Sequence, residues 1–294
     1  YNGSVVVNSM IDAFLDVAGN GNVLSTGAAV NETADTTSPL LLAVALDYNN
    51  GQVAITVDET VDPYSVNLTA FRLNDVGGDD SAGMSLATSS FAGVSGLVLT
   101  IQLTPAQIVE AAKIQVGSPP YLVGEPYLDA LEGAFTDLAG NKVAYTSTLT
   151  TGVADASSPT VLAAELNFNT GVLRIELSET VDQSPLTNVD LSKVWLVQAP
   201  GARTGFAFNL AAGTVLGLGD SANATVQLTT ALQSSANAVV DTGTHTLEVE
   251  AGAVKDISGN LNSLQQSIPL SLIKDTSSPA TLSAALDYND GMLT

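Results

Sequence analysis

The chain of 294 residues contains no cysteine, one histidine, one tryptophan and 8 basic residues against 30 acidic ones. Each scarcity removes a class of chemistry. Without cysteine there is no disulfide framework, no thiol nucleophile and no thiolate metal site. A Ser-His-Asp arrangement would have to use His245, whose Thr-His-Thr setting supplies no partner, so an exposed strand histidine is expected. A formal charge of −22 repels phosphate backbones and anionic headgroups, which argues against nucleic-acid or membrane-surface binding unless a cation such as Ca²⁺ intervenes. No apolar run approaches the about 18 residues of a spanning helix, so no membrane insertion is expected of this segment. Only 13% of residues are charged while 45% are apolar, which leaves Ser, Thr, Asn and Gly to cover the surface.

What the chain does have is repetition. The stretch DASSPTVLAAELNFNTGVLRIELSETVD, 155 to 182, has an earlier copy, DTTSPLLLAVALDYNNGQVAITVDETVD, 35 to 62, and a third begins DTSSPATLSAALDYNDGMLT at Asp275. Asp35, Asp155 and Asp275 are 120 residues apart, the period of a whole domain repeated in tandem. This divides the chain into the C-terminal part of a preceding repeat (1–34), two full repeats (35–154 and 155–274) and the start of a following one (275–294). The expectation is a piece of a longer array.

Within each copy Pro39, Pro159 or Pro279 stiffens the junction, and apolar residues then alternate: Leu42, Val44, Leu46 and Tyr48, matched by Leu162, Ala164, Leu166 and Phe168. The turns Asn49-Asn50-Gly51 and Asn169-Thr170-Gly171 lead into second strands at Val53, Ile55, Val57 and Leu173, Ile175, Leu177. Thr104 as N-cap, Pro105 at the first turn and the formers that follow predict one short helix, with a weaker counterpart at 230–238. Each repeat closes on a turn of the form Asp-x-x-Gly-Asn: FLDVAGN at 14–20, FTDLAGN at 135–141 and VKDISGN at 254–260. About seven short strands and one helix per repeat describe an all-β, two-sheet sandwich.

The SP opening, the SETVD strand end and the closing DxxGN turn together resemble bacterial Ig-like domain repeats. The nearest type is that of very large cyanobacterial cell-surface proteins, with related arrays in giant surface proteins of heterokont algae. The resemblance spans nearly the whole chain and implies tandem Ig-like β-sandwiches at an extracellular or cell-surface location; it implies no activity.

The acidic positions are the candidate chemistry. Glu59, Asp62, Glu179 and Asp182 sit at strand ends, Asp35, Asp155 and Asp275 at junctions, and Asp16, Asp137 and Asp256 in the closing turn. If the strand order brings a junction Asp to a closing-turn Asp, their oxygens could hold Ca²⁺ and stiffen the joint. Alternatively, these side chains only cap turns. The fold itself requires no cofactor. A glycosidase pair is disfavoured, because the same carboxylates recur in every copy without an aromatic-lined cleft. Trp195 aligns with Arg72 at an outward position, where it either stacks on a sugar or neighbouring molecule or lies across its own sheet. Glycosylation sequons at Asn2, Asn31, Asn67 and Asn223 are as many as this composition gives by chance, but Asn31 lies beside a junction and Asn67 and Asn223 in polar, strand-flanking positions, where a eukaryotic secretory host could modify them.

Two functions from different classes follow. One is a structural segment of a long extracellular fibre or surface appendage, not an enzyme, whose partners are neighbouring copies of itself or other fibre proteins. The other is an adhesin or carbohydrate-binding module, in which one repeat takes a glycan in its divergent middle (74–96 or 197–222) or around Trp195.

Overall fold

The structure is a computed structural model that describes residues 5–78, 83–118, 122–198, 201, 207–217, 219–240, 245–276, 278 and 292. Asn2, Pro279 and most of the third copy lie outside the described residues. The first elements, β1 (Val6–Ser9) and β2 (Ser25–Ala29), form an antiparallel pair. The first full repeat then runs β3 (Leu41–Asp47), β4 (Gln52–Val57), β5 (Phe71–Asn74), β6 (Met84–Ser85), β7 (Ser90–Ser95), β8 (Val98–Gln102), α1 (Pro105–Val116), β9 (Tyr127–Ala130) and β10 (Thr146–Val153). The second repeats this order as β11 (Val161–Asn167), β12 (Val172–Val181), β13 (Val194–Val197), β14 (Ala207–Asn209), β15 (Thr214–Leu216), β16 (Ser221–Gln227), α2 (Thr230–Val240), β17 (Thr246–Val249) and β18 (Gln265–Ile273). Spatial order is the same in both: β6-β5-β9-β10-β3-β4-β8-β7 and β14-β13-β17-β18-β11-β12-β16-β15. Among the described residues each repeat has eight strands, against the about seven expected from the sequence.

Each repeat is an Ig-like sandwich, and its closing strand belongs to both layers. Residues Thr146 to Leu149 of β10 pair antiparallel with β9, whereas Thr150 to Val153 pair in parallel with Val44 to Asp47 of β3. In the second repeat β18 likewise joins β17 to β11, pairing Leu270–Ile273 in parallel with Ala164–Asn167. The first and last strands of each sandwich are therefore direct neighbours.

The hairpin alternation holds with one correction. Val44, Leu46, Val53 and Ile55 are buried, but Leu42 and Leu162 are more than half exposed. A bulge between Leu41 and Ala43, and its counterpart between Val161 and Ala163, shifts the register by one residue and turns those leucines outward. Leu41 and Val161 take the inward places. At the hairpin tip Gly51 has φ 71°, and a Cβ there would lie 2.4 Å from Ile108 of α1, so both backbone and packing require glycine.

Helix α1 begins as predicted. Thr104 and Gln107 form a capping box, Pro105 occupies the first turn, and Gly117 ends the helix in the left-handed conformation at φ 69°. The helix carries the chain from the β8 layer back to the β9 layer and buries Ala111, Ala112 and Ile114. Each sandwich has its own apolar core; in the first, Phe71 and Phe135 stack at 6.3 Å, where the second has Val194 and Val254.

Candidate functional site at the joint between repeats

From Ala154 to Thr160 the chain leaves one sandwich and enters the next, and side chains of both hold it. Tyr48 N–H donates to the Val153 carbonyl at 3.1 Å, continuing the β10–β3 ladder. Asn49, at the hairpin tip of the first sandwich, donates its Nδ2 to Ala154 O at 2.9 Å and accepts from Ala156 N–H at 3.0 Å. Asp155 caps its own turn by accepting from Ser157 N–H. From the second sandwich, Asn260 Nδ2 donates to Asp155 O at 3.1 Å. A salt bridge of 2.9 Å between Lys113 and Asp220 crosses the joint, and Ile257 packs against the core of the first sandwich.

The same bonds recur along the chain. Asn169 donates to Lys274 O and accepts from Thr276 N–H, both at 3.0 Å, at the next junction. Asn141 donates to Asp35 O at the previous one. By sequence these asparagines read only as turn formers. A signal was present, since position 49 reads Asn again at 169 and 289 while the next residue changes from Asn50 to Thr170 to Asp290.

The closing turn supplies the rest of the site. In Asp-x-x-Gly-Asn the Asp side chain accepts from the Asn backbone N–H and side chain, at 2.8 and 2.7 Å for Asp137–Asn141 and 2.8 Å for both bonds of Asp256–Asn260. Gly140 and Gly259 take φ near 95°, which the turn demands. Asp16 and Asn20 make the same turn, and Asn20's bonds hold the Asp16 carboxyl below its ordinary range.

Folding brings six of the ten candidate carboxylates together in two triads, Asp35–Glu59–Asp137 and Asp155–Glu179–Asp256. Within each, the ligand oxygens lie within 4.8 Å of one another. Asp62 and Asp182 stay outside: each caps a turn, to Tyr64 N–H and Ser184 N–H respectively, and Asp182 also pairs with Lys255 at 3.1 Å. Asp275 occupies the third junction, and most of the copy it opens lies outside the described residues.

The triads differ electrostatically because of what covers them. A cleft of about 480 Å³ has Asp155, Glu179 and Asp256 on one side and Tyr48, Asn49 and Ile108 of the preceding sandwich on the other. Burial, then repulsion from Asp256 and Asp155, pushes the Glu179 carboxyl up to about 7. Asp256 is raised by burial and by Asp155 despite the hydrogen bonds from Asn260. In the other triad burial, Asp35 and Asp137 raise Glu59, whereas for Asp137 the bonds from Asn141 outweigh burial and lower the carboxyl.

Three carboxylates at this spacing can share a proton or gather a hard, oxygen-preferring cation of the Ca²⁺ type. The proton reading gives a signed prediction. Glu179 has its folded value near 7 against an ordinary 4.5, so its favourable contribution is complete below about 4.5 and is lost as pH rises through 7. Screening at this half-buried site reduces the loss to about 1–2 kcal/mol. Glu179→Gln should therefore raise the urea midpoint of the second sandwich at pH 8 and leave it unchanged at pH 4.5; equal midpoints at pH 8 would refute the assignment. Repeating the pH 8 titration with calcium chloride separates the two readings, because a bound cation raises the wild-type midpoint more than that of the variant.

The remaining candidates lie elsewhere. Trp195 donates Nε1–H to Glu250 Oε1 at 2.9 Å, so it is held across its own sheet. His245 is not an exposed strand residue: both ring nitrogens are buried, and it borders a small apolar cavity beside Phe208, Leu270 and Leu272, side chains that other strands bring over it. Asn31 and Asn67 are exposed. Asn67 caps a short 3₁₀ turn, Leu68–Ala70, through Thr69 N–H. Asn223 sits within β16, its Oδ1 accepting from Arg174 Nε at 3.0 Å.

No family model and no curated protein matches this chain. Among solved structures, it is similar to the N-terminal part of the bacterial S-layer protein SbsC, at 10% identity and a TM-score of 0.25 over 66% of this chain. It covers 44% of that chain, less than half its length. Titin domains z1z2 in complex with telethonin match at 10% identity and a TM-score of 0.20, over 83% of this chain and 100% of that one. The N-terminal four Ig domains of Dscam1 isoform 6.44 match at 10% identity and 0.21, over 85% and 54%. The architecture is accordingly read from this chain's own strand order: two Ig-like sandwiches in tandem, joined by a linker that both of them hold.

Proposed function

We propose that this chain is a load-bearing structural segment of an extracellular fibre or surface appendage, with neighbouring copies of itself as its principal partners, and that it catalyses no reaction. The observation that carries this reading is the parallel pairing of first and last strands. Tension enters a sandwich through β3 and leaves through β10, and the paired stretches Val44–Asp47 and Thr150–Val153 point the same way. Pulling on the two ends therefore loads their ladder bonds together in shear rather than one at a time. The second sandwich offers the same path through Ala164–Asn167 and Leu270–Ile273.

The joint supports the same reading. A free Gly/Ser tether behaves as a flexible coil, whereas Ala154, Asp155 and Ala156 are fixed by Asn49 on one side and Asn260 on the other. Force and orientation then pass from one sandwich to the next. The acidic surface keeps parallel chains apart unless cations screen it. The exposed sequons at Asn31 and Asn67 are compatible with a secretory route.

Single-molecule force spectroscopy on the 294-residue chain tests the proposal. Two discrete rupture peaks are expected, each releasing about 40 nm of contour, the length of 120 residues at roughly 3.3–3.6 Å apiece. Extension at constant low force without peaks would remove the mechanical reading.

A further inference from the structure

We propose that the second sandwich, and not the first, carries on its outer face a binding groove for a neutral polyhydroxylated ligand, a short saccharide. The groove, about 850 Å³, lies where the segment after β12 arches over β15 and β16, and its volume is that of a small-molecule site. Arg174, Gln183 and Asn223 provide its polar groups; Leu186, Val215 and Gly217 provide an apolar wall and a gap.

Three observations point to a ligand. First, Gln183 is 2% exposed, its Nε2 donates to the carbonyls of Ser221 and Asn223 at 3.4 and 3.0 Å, and its Oε1 has no hydrogen-bond partner. A buried acceptor in that condition calls for a donor from outside the chain. A Cβ on Gly217 would come 3.4 Å from this oxygen and 2.8 Å from Leu186 Cδ2, so glycine adds no side chain between the buried oxygen and the exposed Leu186. Second, Arg174 Nε and Asn223 Oδ1 fix each other at 3.0 Å, which pre-orients the remaining guanidinium and amide donors on the groove.

Third, the first sandwich is an internal control. By the 120-residue register and the strand pairing, Arg174, Gln183, Ser221 and Asn223 stand where the first sandwich has Ala54, Pro63, Gly96 and Val98. The pairing of β12 with β16 repeats that of β4 with β8, but β12 runs four residues further, to Val181, and every polar group is new. Neighbouring donors and acceptors beside an apolar wall match adjacent hydroxyls and the C–H face of a sugar ring. An anion is disfavoured by the chain's charge. Asp220, at the groove's end, is committed to Lys113 and to Gln183 N–H.

Isothermal titration of the 294-residue chain with four neutral trisaccharides, maltotriose, cellotriose, laminaritriose and chitotriose, provides the test. Saturable binding of at least one is expected, and restoring the first sandwich's residues in the double variant Arg174→Ala/Asn223→Val should weaken it at least tenfold. Amide chemical-shift mapping on the wild-type chain, independent of how the variant folds, should place the changes at Gln183, Ser221 and Asn223 and leave Val98 unmoved. Absence of binding to all four sugars, undiminished affinity in a folded double variant, or shifts centred outside this groove would overturn the proposal.

Discussion

Replacing Phe135 with alanine is expected to remove about 3–5 kcal/mol from the first sandwich and to leave the second one's transition where it was. Phe135 is fully buried and stacks on Phe71 at 6.3 Å with the rings 10° from parallel, so the variant leaves a cavity facing a ring that has lost its partner. A loss of this size is a large part of a domain's whole stability. Two separated transitions in a calorimetric scan, only one of them shifted, would establish that each sandwich folds on its own core. A single transition that moves as a whole would show instead that the joint couples the two into one cooperative unit. Phe135→Val, which introduces the residue type found at Val254 in the second sandwich, should cost distinctly less.

Asn260→Ala has the second-largest expected effect, because one side chain serves two elements. Its Nδ2 donates both to Asp256 Oδ2 and to the Asp155 carbonyl. Asp256 is 2% exposed, so alanine leaves a buried carboxylate short of a donor, at a cost of about 1.5–3 kcal/mol. The same loss releases the linker from the second sandwich. Since the Asn260 side-chain bond lowers the Asp256 carboxyl, its removal raises it further, although the backbone N–H of residue 260 still donates. The stability lost as pH rises should then be greater than in the wild type. Urea titrations at pH 5 and pH 8 measure the stability and its slope, and small-angle scattering measures the joint, where a broader distribution of inter-domain distances is expected. A variant with wild-type midpoints and wild-type scattering would mean that Asn260 holds neither the carboxylate nor the linker.

Much of the fold could be read along the chain because the physics concerned is local. The capping box at Thr104 and Gln107, the left-handed glycine of each hairpin tip and the Asp–Asn closing turns all involve partners within a few residues. Their requirements are written in adjacent positions. The bulge that turns Leu42 and Leu162 outward was not legible, because alternation alone does not say which strand gains a residue. His245 was misread for a similar reason: an alternating pattern places a residue on a face, but the neighbours that bury it, Phe208 and Leu270, come from other strands.

The candidate site divides in the same way. Every carboxylate of both triads was identifiable as acidic and repeated, yet Asp62 and Asp182 carry the same signature and lie outside them. Proximity between Asp155, Glu179 and Asp256 depends on a strand order that pairs Val181 with Asp256 across the two layers. The polar groove of the second sandwich was visible only as divergence between the repeats.

By itself, the sequence determined that the chain is a tandem array with a 120-residue period, that each repeat is all-β with one helix between its late strands, and that thiol chemistry is excluded. These follow from composition, spacing and turn chemistry, which act over a few residues or repeat identically. The tertiary structure decided that the closing strand crosses between layers to lie parallel to the first, that the linker is held from both sides, and that three carboxylates and one unpartnered amide oxygen end where they do. Those contacts join residues tens to a hundred positions apart. Their distances are set by how two sheets close on a core, which no local pattern encodes.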